Sequence, residues 1–109
     1  MSAYDDLMEF LEPDETVDKI VFGNWGWNGY RENTVFVPTD KRGVLLDFEE
    51  AKPMMDGWTF YCDYGSPQCY AVRVWTNQRV IWVTQYDGST TLDSTPRNPV
   101  AHMPYMPGG

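Results

Sequence analysis

Four sets of residues in this chain have types and spacings that could do chemistry. Asp5, Asp6, Glu9, Glu12, Asp14, Glu15 and Asp18 place seven carboxylates in the first 18 residues, with no Lys or Arg among them. Adjacent acids such as Asp5/Asp6, and Glu49/Glu50 further on, could in principle divide acid and base work. Neighbours in sequence point in different directions on a helix, however, so a solvated face is the plainer reading. Cys62 and Cys69 with the single His102 fall short of the four ligands of a structural zinc site, and His102 is distant. That histidine sits in a proline-rich tail, so a Ser-His or Cys-His nucleophile would need the tail to enter a pocket. Gly23, Gly26 and Gly29, in the stretch FGNWGWNGY, resemble a phosphate loop only in being glycines. The spacing is neither G-x-G-x-x-G nor G-x-x-x-x-G-K-[ST], the intervening residues are bulky aromatics, and no lysine follows. No catalytic residue, metal or cofactor is expected, and the chain reads as a non-enzyme.

Binding is the stronger theme. Trp25 and Trp27 are two apart, so on an extended segment both rings share a face. With Tyr30 beside them they form either a core plug hinged by glycine or an exposed platform, suited to stacking or to the centre of a protein interface. The acids divide the charge unevenly. Residues 1–18 carry −7 of the net −8, and the other 91 residues are nearly balanced. Such a layout disfavours direct nucleic-acid or anionic-membrane contact and suits a partner with a basic surface, unless it serves only solubility.

Elements must position these residues. Ser2 with Asp5 is a helix start, and Tyr4, Leu7, Met8 and Leu11 recur at helical spacing, predicting a helix over 3–11 stopped by Pro13. That stripe leaves Asp5, Asp6, Glu9 and Glu12 wet. Strand-like runs are VDKIVF at 17–22, Thr34 to Val37, WTFYC at 58–62, CYAVRVW at 69–75 and RVIWVTQY at 79–86. On the last, Val80, Trp82 and Tyr86 alternate with Ile81 and Val83, which predicts a central strand covered on both sides. Asp87-Gly88 turns the chain back into an edge strand, Ser89 to Leu92. Asp47 and Glu50 resemble a capping box for a short helix from Phe48, shortened by Pro53 and stopped at Gly57. From Ser94 the tail holds four prolines in sixteen residues and reads as extended or mobile.

The fold class is therefore α+β: an antiparallel sheet of about four to six strands with one or two short helices on one face. Residues 1–93 read as one domain with an acidic N-terminal helix, followed by the tail at 94–109. No stretch reaches the length of a membrane span, and the N-terminus lacks the basic start and apolar run of a secretory signal, so a cytoplasmic protein is expected. In that reducing compartment Cys62 and Cys69 are expected as packed thiols, although on paired strands they could close a disulfide if oxidised.

GNWGWNGY, the segment running from VP through DKRG to FEEA, YGSPQC, and WTNQRVIWVTQYDGST followed by TPRNP resemble small accessory proteins of bacteriophages and prophages over residues 20–100. The resemblance carries no site residues. It implies a protein that binds and disables a host factor, such as a restriction, CRISPR or other defence system. The leading expectation is a non-enzymatic inhibitor of a host defence or nucleic-acid-handling protein, acting through acidic and aromatic surface. A module binding a nucleotide signal or a carbohydrate, and a virion structural or assembly protein, are the alternatives.

Overall fold

The computed structural model describes residues 2–26, 32–62, 67–86, 88–101 and 103–104. Among them, five strands form one antiparallel sheet, β1 (Val17–Trp25), β2 (Leu46–Asp47), β3 (Tyr70–Thr76), β4 (Arg79–Tyr86) and β5 (Ser89–Pro96), in the order β2-β1-β3-β4-β5. Helix α1 (Ala3–Phe10) precedes the sheet, and α2 (Phe48–Ala51) tightens into a 3-10 turn over Lys52–Met55, where Pro53 removes a helical donor. The α+β class is as the sequence predicts.

Helix α1 starts where its cap predicts. Ser2 Oγ accepts from Asp5 N at 3.2 Å, and the Asp5 carboxylate accepts from Ser2 N at 3.1 Å. Of the predicted stripe, Leu7 is buried and Tyr4 and Leu11 pack on the core, while Met8 is 42% exposed; Ala3 and Asp6 are buried and Phe10 packs on the core as well. The burial of Ala3 and Asp6 follows from the chain packed beneath them: Ala3 N donates to Trp58 O, and Phe60 N and Thr59 Oγ1 donate to the Asp6 carboxylate. These bonds also explain why 58–62 is not a strand. Its backbone groups serve α1, and only Cys62 pairs with the sheet, opposite Thr90.

Residues 34–37 likewise form no strand, because side chains take their backbone groups. Phe36 N and Val37 N donate to Tyr70 Oη at 2.9 and 3.1 Å, and Val37 O accepts from Arg42. Tyr70 Oη in turn donates to Glu32, whose carboxylate is gripped by Arg42 at 2.7 and 2.9 Å. Asp47 precedes α2 as predicted but makes no cap bond; its carboxylate is paired with Lys19. Gly57 stops the following turn at φ +89°, and a Cβ there would lie 2.5 Å from Phe36 Cε1.

The core lies between the helices and one sheet face. Ile20, Phe22, Val72, Val74 and Ile81 meet Leu7, Ala51 and Met55 there. Five rings, Phe22, Trp25, Trp58, Phe60 and Tyr70, pack edge to face at centroid distances of 5.0–6.3 Å. Such pairs add about 0.5–1.5 kcal/mol each beyond their area, which is how a leucine-poor chain fills its interior. β5 runs past the predicted Leu92 to Pro96, along the margin of the sheet. The Thr90 backbone N–H and C=O point away from β4 and pair with Cys62, so by alternation the backbone groups of Leu92, Ser94 and Pro96 point to the same margin, while the Thr90 and Leu92 side chains are buried. The Asp93 carboxylate accepts from Ser94 N at 2.8 Å, and Pro96 has no N–H to offer.

Candidate functional site

The predicted acidic surface divides into two. Asp6 is fully buried, and Glu15 is only 6% exposed, so neither belongs to a wet face. Glu15 is the hub of a latch. Both its carboxylate oxygens accept from Arg79 at 2.9–3.1 Å, Thr76 Oγ1 donates to it, and Glu12 N donates at 3.0 Å. Burial pushes the Glu15 carboxyl up, yet the Arg79 guanidinium and these donors outweigh it and hold it below its ordinary value. Asp5, Glu9, Glu12, Asp14 and Asp18 remain exposed. Asp5 serves the α1 cap, chiefly through the Ser2 backbone N–H, which lowers its pKa. Asp18 reaches Arg97 at 3.3 Å. No side-chain cation pairs with Glu9, Glu12 or Asp14 among the described residues. Glu9 lies in the last turn of α1, with Glu12 and Asp14 just beyond, and that turn contains no base. Carboxylates at a helix's negative pole are unfavourable by a few tenths to about 1 kcal/mol each.

Of the aromatic half of the predicted site, Trp25 alone lies among the described residues. Trp25 is 8% exposed and packed edge to face in the core, so it takes the core-plug alternative and is no platform. The reason is a bulge. β1 pairs with β3 through Phe22↔Val72 and then Trp25↔Tyr70, an irregularity that turns Phe22 and Trp25, three apart, to the same side. Gly26 follows at φ +59°, its N–H donating to Cys69 O at 2.8 Å. Trp27 and Tyr30 lie outside the described residues.

Another aromatic surface appears on the opposite side of the sheet. β4 was expected to be covered on both faces. Ile81 is buried, but Val80 and Trp82 are only half-buried and join no core. Register places Val21, Arg73, Trp82 and Asp93 in one row across four strands, and Lys19, Trp75, Val80 and Thr95 in the next. Arg73 lies over the Trp82 ring at 5.8 Å. With Ala71 and Thr84 above them, these rows span roughly 14 by 14 Å from strand and residue spacing. A solvated antiparallel face normally alternates to polar residues; this one carries two tryptophans and two valines. Glu12 meets its lower corner, sharing a surface depression with Ser94, Thr95 and Pro96. The only sequence sign was an apolar residue on each face of β4, which was read as cover.

Chemistry finds little purchase elsewhere. Cys62 and Cys69 are free thiols, and burial, with Cys62 nearby, pushes the Cys69 thiol up to about 12. Among the described residues no three His, Cys, Asp or Glu side chains gather as metal ligands, and no helix is long and apolar enough to cross a membrane. Neither family models, curated proteins nor solved structures contain a match to this chain.

Proposed function

We propose that the protein is a non-enzymatic interaction protein that docks the face around Trp75, Val80 and Trp82 onto another protein, with its acidic segment meeting basic surface on that partner. The observation carrying this reading is the half-buried sheet face on which no core residue packs among the described residues, and whose Trp and Arg content is that of an interface hot spot. Its extent suits the dry centre of an interface of standard size, roughly 800 Å² per partner, with polar surroundings supplying the rest. Unpaired Glu9, Glu12 and Asp14 at the pole of α1 support a cationic partner, because opposite charge there would relieve their mutual repulsion and speed encounter. In the phage setting implied by the resemblance, the partner is a host defence or nucleic-acid-handling protein, and binding disables it.

The test is affinity capture from host lysate at low and moderate salt, with the captured protein identified by mass spectrometry. Trp82→Ser with Val80→Lys should abolish capture while circular dichroism stays unchanged. Charge reversal at Glu9, Glu12 and Asp14 should weaken capture most at low salt. A partner indifferent to both sets of changes, or none recovered, would remove the proposal.

A further inference from the structure

We infer that the protein docking on the sheet face presents a carboxylate, from an Asp or Glu side chain, to Arg73. This rests on the docking reading above and adds what the partner must carry at the centre of the contact. The observation is a cation left over in a chain with acids to spare, 16 against 8 Lys and Arg. Lys19, Lys41, Arg42, Lys52, Arg79 and Arg97 each pair with a carboxylate of the same chain. Among the described Lys and Arg residues Arg73 alone does not. It is exposed on β3, the middle strand of the sheet, with its guanidinium 5.8 Å from the centre of the Trp82 ring. The acid in its row, Asp93, lies two strands away, about 10 Å by strand spacing, and its carboxylate accepts from Ser94 N.

Position and pairing together select the partner's chemistry. A guanidinium stacked on an indole is oriented while its N–H fork stays open to an acceptor, and Arg and Trp are enriched at interface hot spots. Docking takes that guanidinium out of water, and a charge desolvated without a counter-charge opposes association. A carboxylate supplies the counter-charge and meets the fork with two parallel hydrogen bonds. A phosphate has similar geometry, but Glu12 stands at the corner of the same face, in a chain of net charge −8, and disfavours both a nucleic acid and a doubly charged phosphoryl group. The partner is thus mixed in sign, with an acid set in apolar surface opposite Trp75, Val80 and Trp82 and bases at the rim toward Glu12.

The experiment uses the protein captured and identified in the test above, purified, with its Kd for the full chain measured by calorimetry. Arg73→Met keeps an unbranched stem over Trp82 and removes the charge. It should leave circular dichroism unchanged and weaken binding at least about thirtyfold, as when one member of a desolvated charge pair is removed. Arg73→Lys should recover part of the loss, and a carbodiimide should then couple the amine at position 73 to a partner Asp or Glu, located by mass spectrometry of the joined peptides. Binding weakened less than about fivefold by Arg73→Met, the level of an exposed ion pair, or made tighter by it, overturns the inference. So does coupling of position 73 to no partner acid, or binding lost on phosphatase or nuclease treatment, which would place a phosphate opposite Arg73. If Trp82→Ser with Val80→Lys abolishes binding and Arg73→Met leaves it intact, the docking reading stands and this inference alone falls; if neither matters, or no partner is recovered, both fall.

Discussion

Replacing Arg79 by Met should destabilise the protein by about 3–5 kcal/mol, because it leaves the Glu15 carboxylate buried without its cation. Arg79 ties four parts of the chain together. It pairs with Glu15, donates to Phe10 O at 2.7 Å and to Ser94 Oγ at 3.2 Å, and lies over the Phe10 ring at 4.7 Å. Against a total stability of about 5–15 kcal/mol this is a large fraction. At about 4 °C per kcal/mol for a domain of this size, the midpoint should fall by about 12–20 °C. The pH dependence gives a sharper test. Glu15 is held below its ordinary 4.5, so in the native protein its contribution is complete above that value and is lost as pH falls through the lower folded one. Without Arg79, burial, the largest influence on this carboxyl, is left to raise it. Stability of the variant should then fall as pH rises through the raised value, so mild acidification from neutrality restores part of the loss. Urea unfolding followed by tryptophan fluorescence, near neutrality and at about pH 5, measures both effects. Pairing Arg79→Met with Glu15→Gln should recover most of the deficit. A single-variant cost below about 1 kcal/mol, the level of an exposed pair, or a deficit unchanged in the double variant, would refute the latch.

Three further outcomes follow from buried groups. Asp6→Ala removes the acceptor shared by Thr59 Oγ1 and Phe60 N and should cost about 1–3 kcal/mol, seen as a lower urea midpoint at constant slope. Gly57→Ala should cost at least about 1–2 kcal/mol from its positive φ and more from the encounter with Phe36, measured by thermal melting. A disulfide-exchange reagent at mildly alkaline pH should not titrate Cys69 in the native protein, its thiol being buried and raised to about 12; denaturant should expose it, and equal rates for both thiols in the folded state would contradict this.

Elements governed by nearby residues were legible. The Ser2 cap, the limits of β4 and the shortening at Pro53 each follow from residues within a turn or two. What escaped depends on distant partners. Asp6 and Glu15 look like their exposed neighbours until Thr59, Phe60, Thr76 and Arg79, all more than fifty positions away, are brought against them. The burial of Asp6 on α1 and the loss of the strands at 34–37 and 58–62 share that origin, since side chains satisfied backbone groups that a strand would have paired. Trp25 was displaced by a single extra residue in β1, which reverses the alternation that any count by twos assumes. Of the candidate surface, the negative charge could be read directly. The sheet face could not, because an apolar residue predicts burial without saying whether anything will cover it.

The guarded margin of β5 bears on whether the sheet can grow by added strands. A sheet with one apolar side and an accessible border can recruit further strands indefinitely, each addition recreating the same border. Here Cys62 occupies Thr90, Asp93 occupies the Ser94 donor, and Pro96 ends the row, which leaves Leu92, among the described residues of β5, with outward-pointing backbone N–H and C=O groups both unclaimed by these devices although its side chain is buried. Growth by strand addition along β5 is thereby interrupted at every outward backbone group but those of Leu92, so the β5 margin is a poor template for a further strand.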